Sequence, residues 1–243
     1  MGGTVLVTVL GANGPTGRIL SKQLVYAGHQ VRALTRHPDD GGLSGLDITV
    51  ISGDATREAD LRRAFRGAGA VVSVLGTPYR KDPISLYAES AHAVTTLMAA
   101  EGLRRLVMTS SAVLSTWQDP AMSWVERHVM LRILGSMGRT LYDDMRRLEE
   151  IVSVTDLDWT IMRPLGLADM DASTRWAVAE DHIAGKQTAR RDLAAAIVDQ
   201  LGRTDYLRKT AAVATTNQSI SIPVTIWREG IKPNLPWRAA RPE

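Results

Sequence analysis

The sequence predicts an α/β fold built on a doubly wound parallel sheet, and three observations lead to that expectation. Short apolar runs rich in β-branched residues alternate with segments of helical period along most of the 243 residues. The first apolar run passes directly into a turn with glycines at positions 11, 14 and 17. The length and a hydrophobic content of 44% fit one large domain with a sizeable core. This combination is typical of a Rossmann-type fold, which binds ligands at the carboxyl ends of its strands.

Each element has its own pattern. Strands are expected where aliphatic or β-branched runs lie between turn residues. They are Thr4–Leu10, Gln30–Thr35, Ile48–Ser52, Ala70–Leu75, Leu106–Thr109, Trp159–Met162 and Thr210–Thr215. The segments between them predict helices over Arg18–Ala27, Glu58–Phe65, Ile84–Ala100, Gly138–Val152 and Asp192–Leu201. Right-handed crossovers bring the carboxyl ends of the strands to one edge of the sheet.

The turn after the first strand is a predicted phosphate-binding turn, and a plain strand-to-helix turn is the alternative. Its glycines allow a tight turn, a close approach of the backbone to a pyrophosphate, and close packing of the helix on its strand. A proline suits the first helical turn, and the free N–H groups of that turn would face the anion. The expected cofactor contacts are Gly11, Asn13, Gly14, Pro15, Thr16 and Gly17.

The residue after the second strand indicates which dinucleotide binds. Arg36 stands 19 residues beyond Gly17, where an NAD-specific protein usually has an acidic residue. A guanidinium pairs with a 2′-phosphate in a forked geometry, so Arg36 favours NADP(H) over NAD(H). Asp39 and Asp40 keep NAD(H) as the alternative, and a solvated surface arginine is the other interpretation. Further cofactor contacts are expected after the third and fourth strands, at Asp54, Ala55, Gly76 and Thr77.

Two segments interrupt the alternation, and both are expected to be substrate elements because they follow strands whose ends would face the crevice. Residues 113–137 are rich in Trp and Met, which predicts either a pliable apolar lid or ordinary cover for the core. Residues 165–187 form a loop-rich excursion that we expect on the substrate side. The expected organisation is one NAD(P)-binding domain over residues 1–216, followed by an extended, proline-containing tail over 217–243.

Composition argues against several classes of protein. Cysteine is absent, which excludes disulfides, thiolate zinc sites and cysteine nucleophiles. The five histidines have no metal-ligand spacing, so we expect no metal site. The net charge of +3 is spread along the chain without a basic block, so we expect no nucleic-acid partner. No apolar stretch reaches about 18 residues and no secretory signal is recognisable, so we expect a cytoplasmic protein without membrane contact.

The motifs resemble the atypical short-chain dehydrogenase/reductase group, especially its NAD(P)H-binding branch with the biliverdin-IXβ/flavin reductases and NmrA-like proteins. The resemblance runs from about Thr4 to Thr215. Besides the glycine turn it rests on Gly53-Asp54-Ala55, Val107-Met108-Thr109-Ser110-Ser111-Ala112, Tyr142-Asp143-Asp144-Met145-Arg146-Arg147-Leu148-Glu149, Leu157-Asp158-Trp159-Thr160-Ile161-Met162-Arg163-Pro164 and Arg191-Asp192-Leu193-Ala194. It implies a Rossmann fold and NAD(P)H binding and leaves the substrate open.

The resemblance also implies catalytic residues. In that group a serine matching Ser111 lies beside the nicotinamide, so Ser111 is a catalytic candidate, whereas capping of the strand end is the alternative for Ser111 and Ser110. Short-chain dehydrogenases normally add Tyr-x-x-x-Lys, whose lysine lowers the pKa of the tyrosine. Tyr142 has this spacing but is followed by Arg146, and Arg is not equivalent to Lys. We keep Tyr142 as a second catalytic candidate, with a surface position as the alternative. The resemblance also implies that Ser110 and Arg163-Pro164 lie near the nicotinamide, where Pro164 would help to shape the pocket.

These features predict an NADPH-dependent reductase that transfers hydride to an apolar, conjugated small molecule such as a flavin, quinone, tetrapyrrole or enone. Ser111 and nearby backbone N–H groups would stabilise the developing charge, and solvent would supply a proton. One alternative is an NADP(H)-binding, redox-sensing regulatory protein without turnover. Another is an isomerase or dehydratase of a specialised metabolite on the same fold. Either a monomer or a homodimer agrees with the sequence.

Overall fold

The chain folds in the predicted alternation of strands and helices, as seen in a computed structural model that describes residues 3–38, 42–80, 82–117, 120, 124, 138–170 and 174–217. The strands are β1 (Leu6–Leu10), β2 (Gln30–Thr35), β3 (Thr49–Ser52), β4 (Ala70–Ser73), β5 (Arg105–Thr109), β6 (Asp158–Pro164), β7 (Gly166–Ala168), β8 (Trp176–Glu180), β9 (Gln187–Ala189) and β10 (Lys209–Thr215). The helices are α1 (Pro15–Tyr26), α2 (Glu58–Phe65), α3 (Leu86–Glu101), α4 (Arg139–Ser153) and α5 (Arg190–Leu201). A short 3-10 helix, Ala112–Leu114, follows β5.

Eight strands form one mostly parallel sheet in the order β3-β2-β1-β4-β5-β6-β10-β8. β8 runs antiparallel to β10, with Ala211 opposite Glu180 and Thr215 opposite Trp176. β7 and β9 pair separately, in parallel. The strand order reverses between β1 and β4, which opens a crevice at the carboxyl ends of these strands. The predicted Rossmann-type, doubly wound fold is confirmed.

Helices cover both faces of the sheet. Because successive side chains of a strand point to opposite faces, Val71 packs in the core layer with α2, α3 and α4, whereas Val72 packs in the layer with α1 and α5. Leu106 and Val107 divide in the same way one strand further along. Burial of each such side chain contributes about 1.5–3 kcal/mol. The two layers therefore fix the central strands whose ends carry the candidate site.

The structure differs from the sequence prediction mainly in residues 165–187. This segment, expected to be loop-rich, contains β7, β8 and the first residue of β9. In β8, Trp176 and Val178 pack against the core layer of α1 and α5, and alternate with alanines. The apolar alternation in β8 covers only five residues, and alanine stands where a half-buried strand usually has polar residues, so β8 is a weak strand signal. Helix α1 also begins earlier than expected, at Pro15, because proline is favoured at the first helical position.

Several predicted features fall outside the described residues. These are Asp39 and Asp40, most of the Trp- and Met-rich segment, and the predicted tail apart from Asn217. The lid, the tail and the division at residue 216 stay predictions. Within the described ranges, no helix is long and apolar enough to cross a membrane.

Candidate functional site

The glycine turn has the geometry that its spacing predicts. Gly11 has a φ of +77°, and a Cβ there would lie 2.9 Å from the carbonyl oxygen of Val74. A Cβ on Gly17 would lie 2.2 Å from the carbonyl oxygen of Gly11. The backbone N–H of Gly14 donates to that same oxygen at 3.0 Å, which closes the turn. The turn and the start of α1 are therefore in such close contact that only glycine fits at 11 and 17.

The first turn of α1 offers unpaired N–H groups to an anion. Gly14 caps the helix without a side-chain hydrogen bond, and Pro15 follows at the first helical position. The N–H groups of Thr16 and Gly17 have no acceptor within the helix, as at any helix start. No acidic residue lies in this turn, so nothing there repels a negative charge. A pyrophosphate matches both the free donors and the sign of the helix dipole.

Asn13 joins this turn to the loop after β2. Its Nδ2 donates to the carbonyl oxygen of His37 at 2.8 Å. Arg18 Nε donates to the carbonyl and side-chain oxygens of Asn13, at 2.8 and 3.0 Å. The loop passes so close that a Cβ on Gly42 would lie 2.1 Å from Arg18 Cζ. Asn13 and Arg18 thus position the loop that carries Arg36, a role for Arg18 that the sequence analysis missed.

Arg36 and Asp54 lie close enough to interact at the ends of β2 and β3. Arg36 is exposed. Burial acts to raise the pKa of Asp54, but hydrogen bonds from Thr56 and the charges of Arg36 and Arg57 hold it below its ordinary value. Thr56 donates through its N–H and its hydroxyl to the same carboxylate oxygen, at 2.9 and 2.8 Å. The ionised Asp54 can therefore accept a further hydrogen bond, whereas Ala55 beside it is buried in the core.

The loop after β4 contains the next two predicted contacts. Gly76 is exposed, and a Cβ there would meet no atom within 4 Å. Thr77 is half-buried, and its backbone forms a hydrogen bond with Tyr87. Burial nevertheless raises the pKa of the Tyr87 hydroxyl to about 12. The loop is thus tied to the start of α3 next to the crevice.

The two serines after β5 differ in their surroundings. Ser110 continues the sheet, since its N–H donates to the carbonyl of Met162 at 2.9 Å. Its side chain is buried, and its Oγ has no hydrogen-bond partner among the described residues. Ser111 is half-buried and caps the 3-10 helix, accepting a hydrogen bond from the N–H of Val113 at 3.3 Å. Because the Ser111 hydroxyl is the acceptor there, its proton is free to be donated to a ligand.

Tyr142 has a partner that its sequence spacing does not predict. Its hydroxyl lies 2.9 Å from the hydroxyl of Tyr79, in the loop after β4. Burial foremost, and then Tyr79, raise the pKa of Tyr142. Arg146, which replaces the usual lysine, donates instead to Asp143 at 2.8 Å. Tyr142 is half-buried rather than on the surface, and its catalytic role stays a prediction.

Arg163 and Pro164 end β6 and differ in role. Burial acts to lower the pKa of Arg163, but hydrogen bonds and the charges of Glu149 and Asp181 raise it overall. Glu149 accepts two bonds from the guanidinium, at 3.0 and 2.6 Å, and Asp181 accepts one at 2.5 Å. Arg163 therefore locks β6 to α4 and to the end of β8. Pro164 is buried and pairs with Val213 in β10, so its predicted place near the nicotinamide stays a prediction.

The two predicted substrate-side segments meet at a ring stack. Trp117, from the segment after β5, stacks on His182, which follows β8. The ring centroids are 4.7 Å apart and the planes differ by 24°. His182 Nδ1 lies 3.5 Å from a carboxylate oxygen of Asp181, so the stack adjoins the Arg163 network. The sequence predicts both segments on the substrate side, whereas the contact between these two rings has no signal in the sequence.

The residues present fit a dinucleotide. The turn between β1 and α1 forms a cradle whose glycines leave no room for side chains, and the loops after β2 and β3 supply a cation and a carboxylate. The buried Ser110 hydroxyl, without a partner among the described residues, is an orphan that a ligand would satisfy. Within the same ranges, no cluster of three His, Cys, Asp or Glu side chains is arranged to hold a metal ion.

Known proteins share this fold. A short-chain dehydrogenase/reductase from Veillonella parvula DSM 2008 superposes with a TM-score of 0.73 at 17% identity, covering 90% of this chain and 100% of that one. A wide-type short-chain dehydrogenase/reductase from the same organism, solved in complex with NADP, gives a TM-score of 0.70 at 18% identity, covering 88% of this chain and 95% of that one. At such identities the likeness shows the fold alone.

Two reductases are among the relatives in sequence. A (4-alkanoyl-5-oxo-2,5-dihydrofuran-3-yl)methyl phosphate reductase from Streptomyces griseus is 28% identical over 159 residues, which are 65% of this chain and 47% of that protein. Cinnamoyl-CoA reductase 1 from Oryza sativa subsp. japonica is 34% identical over 116 residues, 44% of this chain and 34% of that protein. The matched segments thus span less than half the length of either relative.

One family covers most of the chain, including the glycine turn, both serines and Arg163. Its description is NAD(P)H-binding, and the match extends over residues 11–204. This range contains every predicted cofactor residue. The match agrees with the resemblance to the atypical short-chain dehydrogenase/reductase group, and with the geometry of the turn. The chain belongs to the NAD(P)H-binding family.

Proposed function

We propose that this protein is an NADPH-dependent reductase that transfers hydride to a conjugated small-molecule acceptor. The observation that carries the proposal is the glycine turn, whose N–H groups lie at the strand-order reversal. At the end of β5, two strands along the sheet, the buried Ser110 hydroxyl has no hydrogen-bond partner among the described residues. Two relatives that are named reductases support reductive chemistry. The bound cofactor would supply the hydride, and the protein would orient both molecules and exclude water.

The preference for NADPH over NADH rests on Arg36. Its guanidinium is exposed at the end of β2, where the adenosine ribose of a dinucleotide lies in this fold. Asn13 and Arg18 hold the start of the same loop. A 2′-phosphate would give Arg36 a forked, charge-assisted partner. Asp54 beside it would accept from the adenine or the ribose.

At the other end of the crevice, hydroxyl groups would receive the acceptor. The Ser111 hydroxyl retains its proton for a ligand, and its predicted role is to hold the oxygen that gains charge during reduction. Backbone N–H groups near it would act in the same way. A proton from water completes the product.

Calorimetric titration with NADPH and NADH tests the cofactor. We expect the wild type to bind NADPH more tightly, and Arg36→Ala to lose at least 10-fold in NADPH affinity with little change for NADH, because a charge-assisted bond contributes about 1.5–3 kcal/mol. Arg104→Ala is the matched control, since Arg104 lies just before β5, at the amino ends of the parallel strands and away from the crevice at their carboxyl ends. Binding of neither nucleotide by the wild type contradicts the proposal.

A second candidate function is an NADP(H)-dependent redox sensor without turnover. The observation that favours it is the engagement of Arg146 with Asp143, which leaves Tyr142 without the cation of the usual pair. The two functions separate in one assay, in which a panel of flavins, quinones and enones is incubated with NADPH. Oxidation of NADPH favours the reductase, whereas binding without oxidation, together with a protein partner captured in one redox state only, favours the sensor.

A further inference from the structure

Three tyrosines converge where the loop after β4 meets α3 and α4. The hydroxyls of Tyr79 and Tyr142 lie 2.9 Å apart, and their ring centroids 6.3 Å apart at 58°. The hydroxyl of Thr140 donates to the carbonyl of Arg80 at 3.0 Å, which ties the same loop to α4 a second time. Tyr87, at the start of α3, is close enough to raise the pKa of Tyr142. The pair is therefore built into the contact between two elements.

The pair lies beside the turn that contains the catalytic candidate. Helix α4 contacts the 3-10 helix that Ser111 caps. Leu114 of that helix packs with Tyr79 and Tyr142 against the same core layer. The loop after β4 and the turn after β5 both follow carboxyl ends of parallel strands, where this fold binds its ligands. The tyrosine pair thus adjoins the acceptor end of the crevice.

The pair has one proton to spare. Two hydroxyls have two protons, and the single hydrogen bond between them uses one. In the described part of the chain, the two hydroxyls hydrogen-bond only to each other. Because burial foremost raises the pKa of Tyr142, its hydroxyl stays protonated at neutral pH. One O–H group is therefore available to a ligand.

Among the described residues, no cation compensates a phenolate at Tyr142. Burial and the two neighbouring tyrosines raise the pKa of Tyr142. Asp144, on the same helix, accepts the N–H of Tyr87 at 2.7 Å, and its negative charge raises the pKa of Tyr87. The pair is thus suited to donate a hydrogen bond and unsuited to give up a proton completely. An oxyanion spread over a conjugated system needs only the hydrogen bond, whereas the alkoxide of a simple ketone needs the proton.

We infer that Tyr79 and Tyr142 form a neutral hydrogen-bond donor for the oxygen of the acceptor, and that this donor selects conjugated carbonyl acceptors of the quinone or enone type over unconjugated ketones. The inference rests on the proposed reductase function. Hydride transfer breaks a C–H bond of the reduced nicotinamide and moves both electrons to the acceptor, where a new bond to hydrogen forms. The acceptor oxygen takes the negative charge, stabilised by a hydrogen bond from the tyrosine O–H, and water then supplies the one proton that completes the product.

The test compares the wild type with Tyr79→Phe, Tyr142→Phe and the double variant. Tyr26→Phe is the control, because Tyr26 is exposed at the end of α1. NADPH oxidation is measured with 1,4-naphthoquinone and with 2-decalone, an unconjugated bicyclic ketone of similar size. The Kd for NADPH is measured on every variant by calorimetry.

We expect the double variant to lower kcat/KM for naphthoquinone on the order of 100-fold, mainly through kcat, because no tyrosine O–H is left to donate. Each single variant should lose less, because the remaining hydroxyl keeps its own proton. The Kd for NADPH should stay unchanged, and Tyr26→Phe should behave as wild type. The wild type should reduce 2-decalone at least 100-fold more slowly than naphthoquinone.

Three results would overturn the inference and leave the proposed function intact. They are wild-type kcat in the double variant, equal reduction of 2-decalone and naphthoquinone, and a loss of NADPH affinity in parallel with the loss of turnover, which would make the pair structural. A different result tests the proposed function itself. If the wild type binds NADPH and oxidises it with none of the acceptors, the reductase proposal fails and the inference fails with it.

Discussion

Arg163 is a buried cation that joins three elements, and Arg163→Met measures its contribution to stability. The side chain of Arg163 is 10% exposed, that of Glu149 14% and that of Asp181 49%. Without the guanidinium, the Glu149 carboxylate would stay buried with no cation on either oxygen. Asp181 would be hydrated by the solvent that already reaches it. The expected cost therefore comes mainly from Glu149.

Removing one partner of a buried ion pair costs about 3–5 kcal/mol of the free energy of unfolding. Urea unfolding followed by far-UV circular dichroism should show a loss of this size for Arg163→Met. Arg104→Met is the matched control, because Arg104 and Asp158 form an ion pair at 3.1 Å that is largely exposed to solvent. The unfolding midpoint of this control should stay close to that of the wild type.

A double variant separates lost charge from lost packing. Arg163→Met combined with Glu149→Leu replaces the buried pair by apolar side chains, and such replacements are often neutral or stabilising. The double variant should therefore recover most of the stability lost in Arg163→Met. If the single variant unfolds at the wild-type midpoint, Arg163 does not stabilise the fold. If the double variant is no more stable than the single one, the loss does not come from an unpaired Glu149.

Three further predictions concern the turn, α4 and the ring stack. Gly17→Ala should abolish NADPH binding in calorimetry because its Cβ would lie 2.2 Å from the Gly11 carbonyl oxygen, whereas Gly202→Ala meets no atom within 4 Å and should bind normally; an unchanged Kd in Gly17→Ala contradicts this. Burial foremost raises the pKa of Asp144 above its ordinary 3.8, so its contribution to stability is complete below that value and is lost as the pH rises through the raised pKa. The urea unfolding midpoint of Asp144→Asn should therefore rise relative to that of the wild type as the pH increases from about 4 to 7. A difference between the two midpoints that does not change with pH would contradict this prediction. A double-mutant cycle of Trp117→Ala and His182→Ala should give a coupling of about 0.5–1.5 kcal/mol in urea unfolding, and no coupling would exclude a stabilising stack.

The central sheet and the glycine turn were predictable because their signals are local. A strand such as β1 reveals itself by consecutive aliphatic residues, and the turn by glycines whose spacing has one geometric purpose. A Cβ at Gly11 or Gly17 would overlap the backbone, so the turn requires glycine at these two positions and the spacing predicts it. By contrast, β8 was not predicted, because its alternating alanines are a weak strand signal. It also pairs antiparallel with β10, about 30 residues further along the chain, whereas the other neighbours in this sheet are parallel.

The partners of the candidate catalytic residues were not predictable, because they are distant in sequence. Tyr79 meets Tyr142 across 63 residues, so the Tyr-x-x-x-Arg spacing revealed the missing lysine and gave no hint of the hydroxyl that contacts the tyrosine. Arg146 turns to Asp143, a pairing that any exposed helix face favours at this spacing.

The charges of the candidate site differ between its two ends, and the difference fits the proposed chemistry. The nucleotide end has the start of α1 and Arg36, which favour an anion. The acceptor end has the neutral hydroxyls of Ser110, Ser111 and the tyrosine pair, in partly or fully buried positions where a hydrogen bond is stronger than in water. Because the cofactor would bring the hydride, the protein would have two tasks. It would bind the phosphates of the cofactor at one end and stabilise an anion on the acceptor at the other. If the protein is the reductase that we propose, the missing lysine should remove reactivity toward simple ketones and retain the reduction of acceptors whose conjugated system delocalises the negative charge.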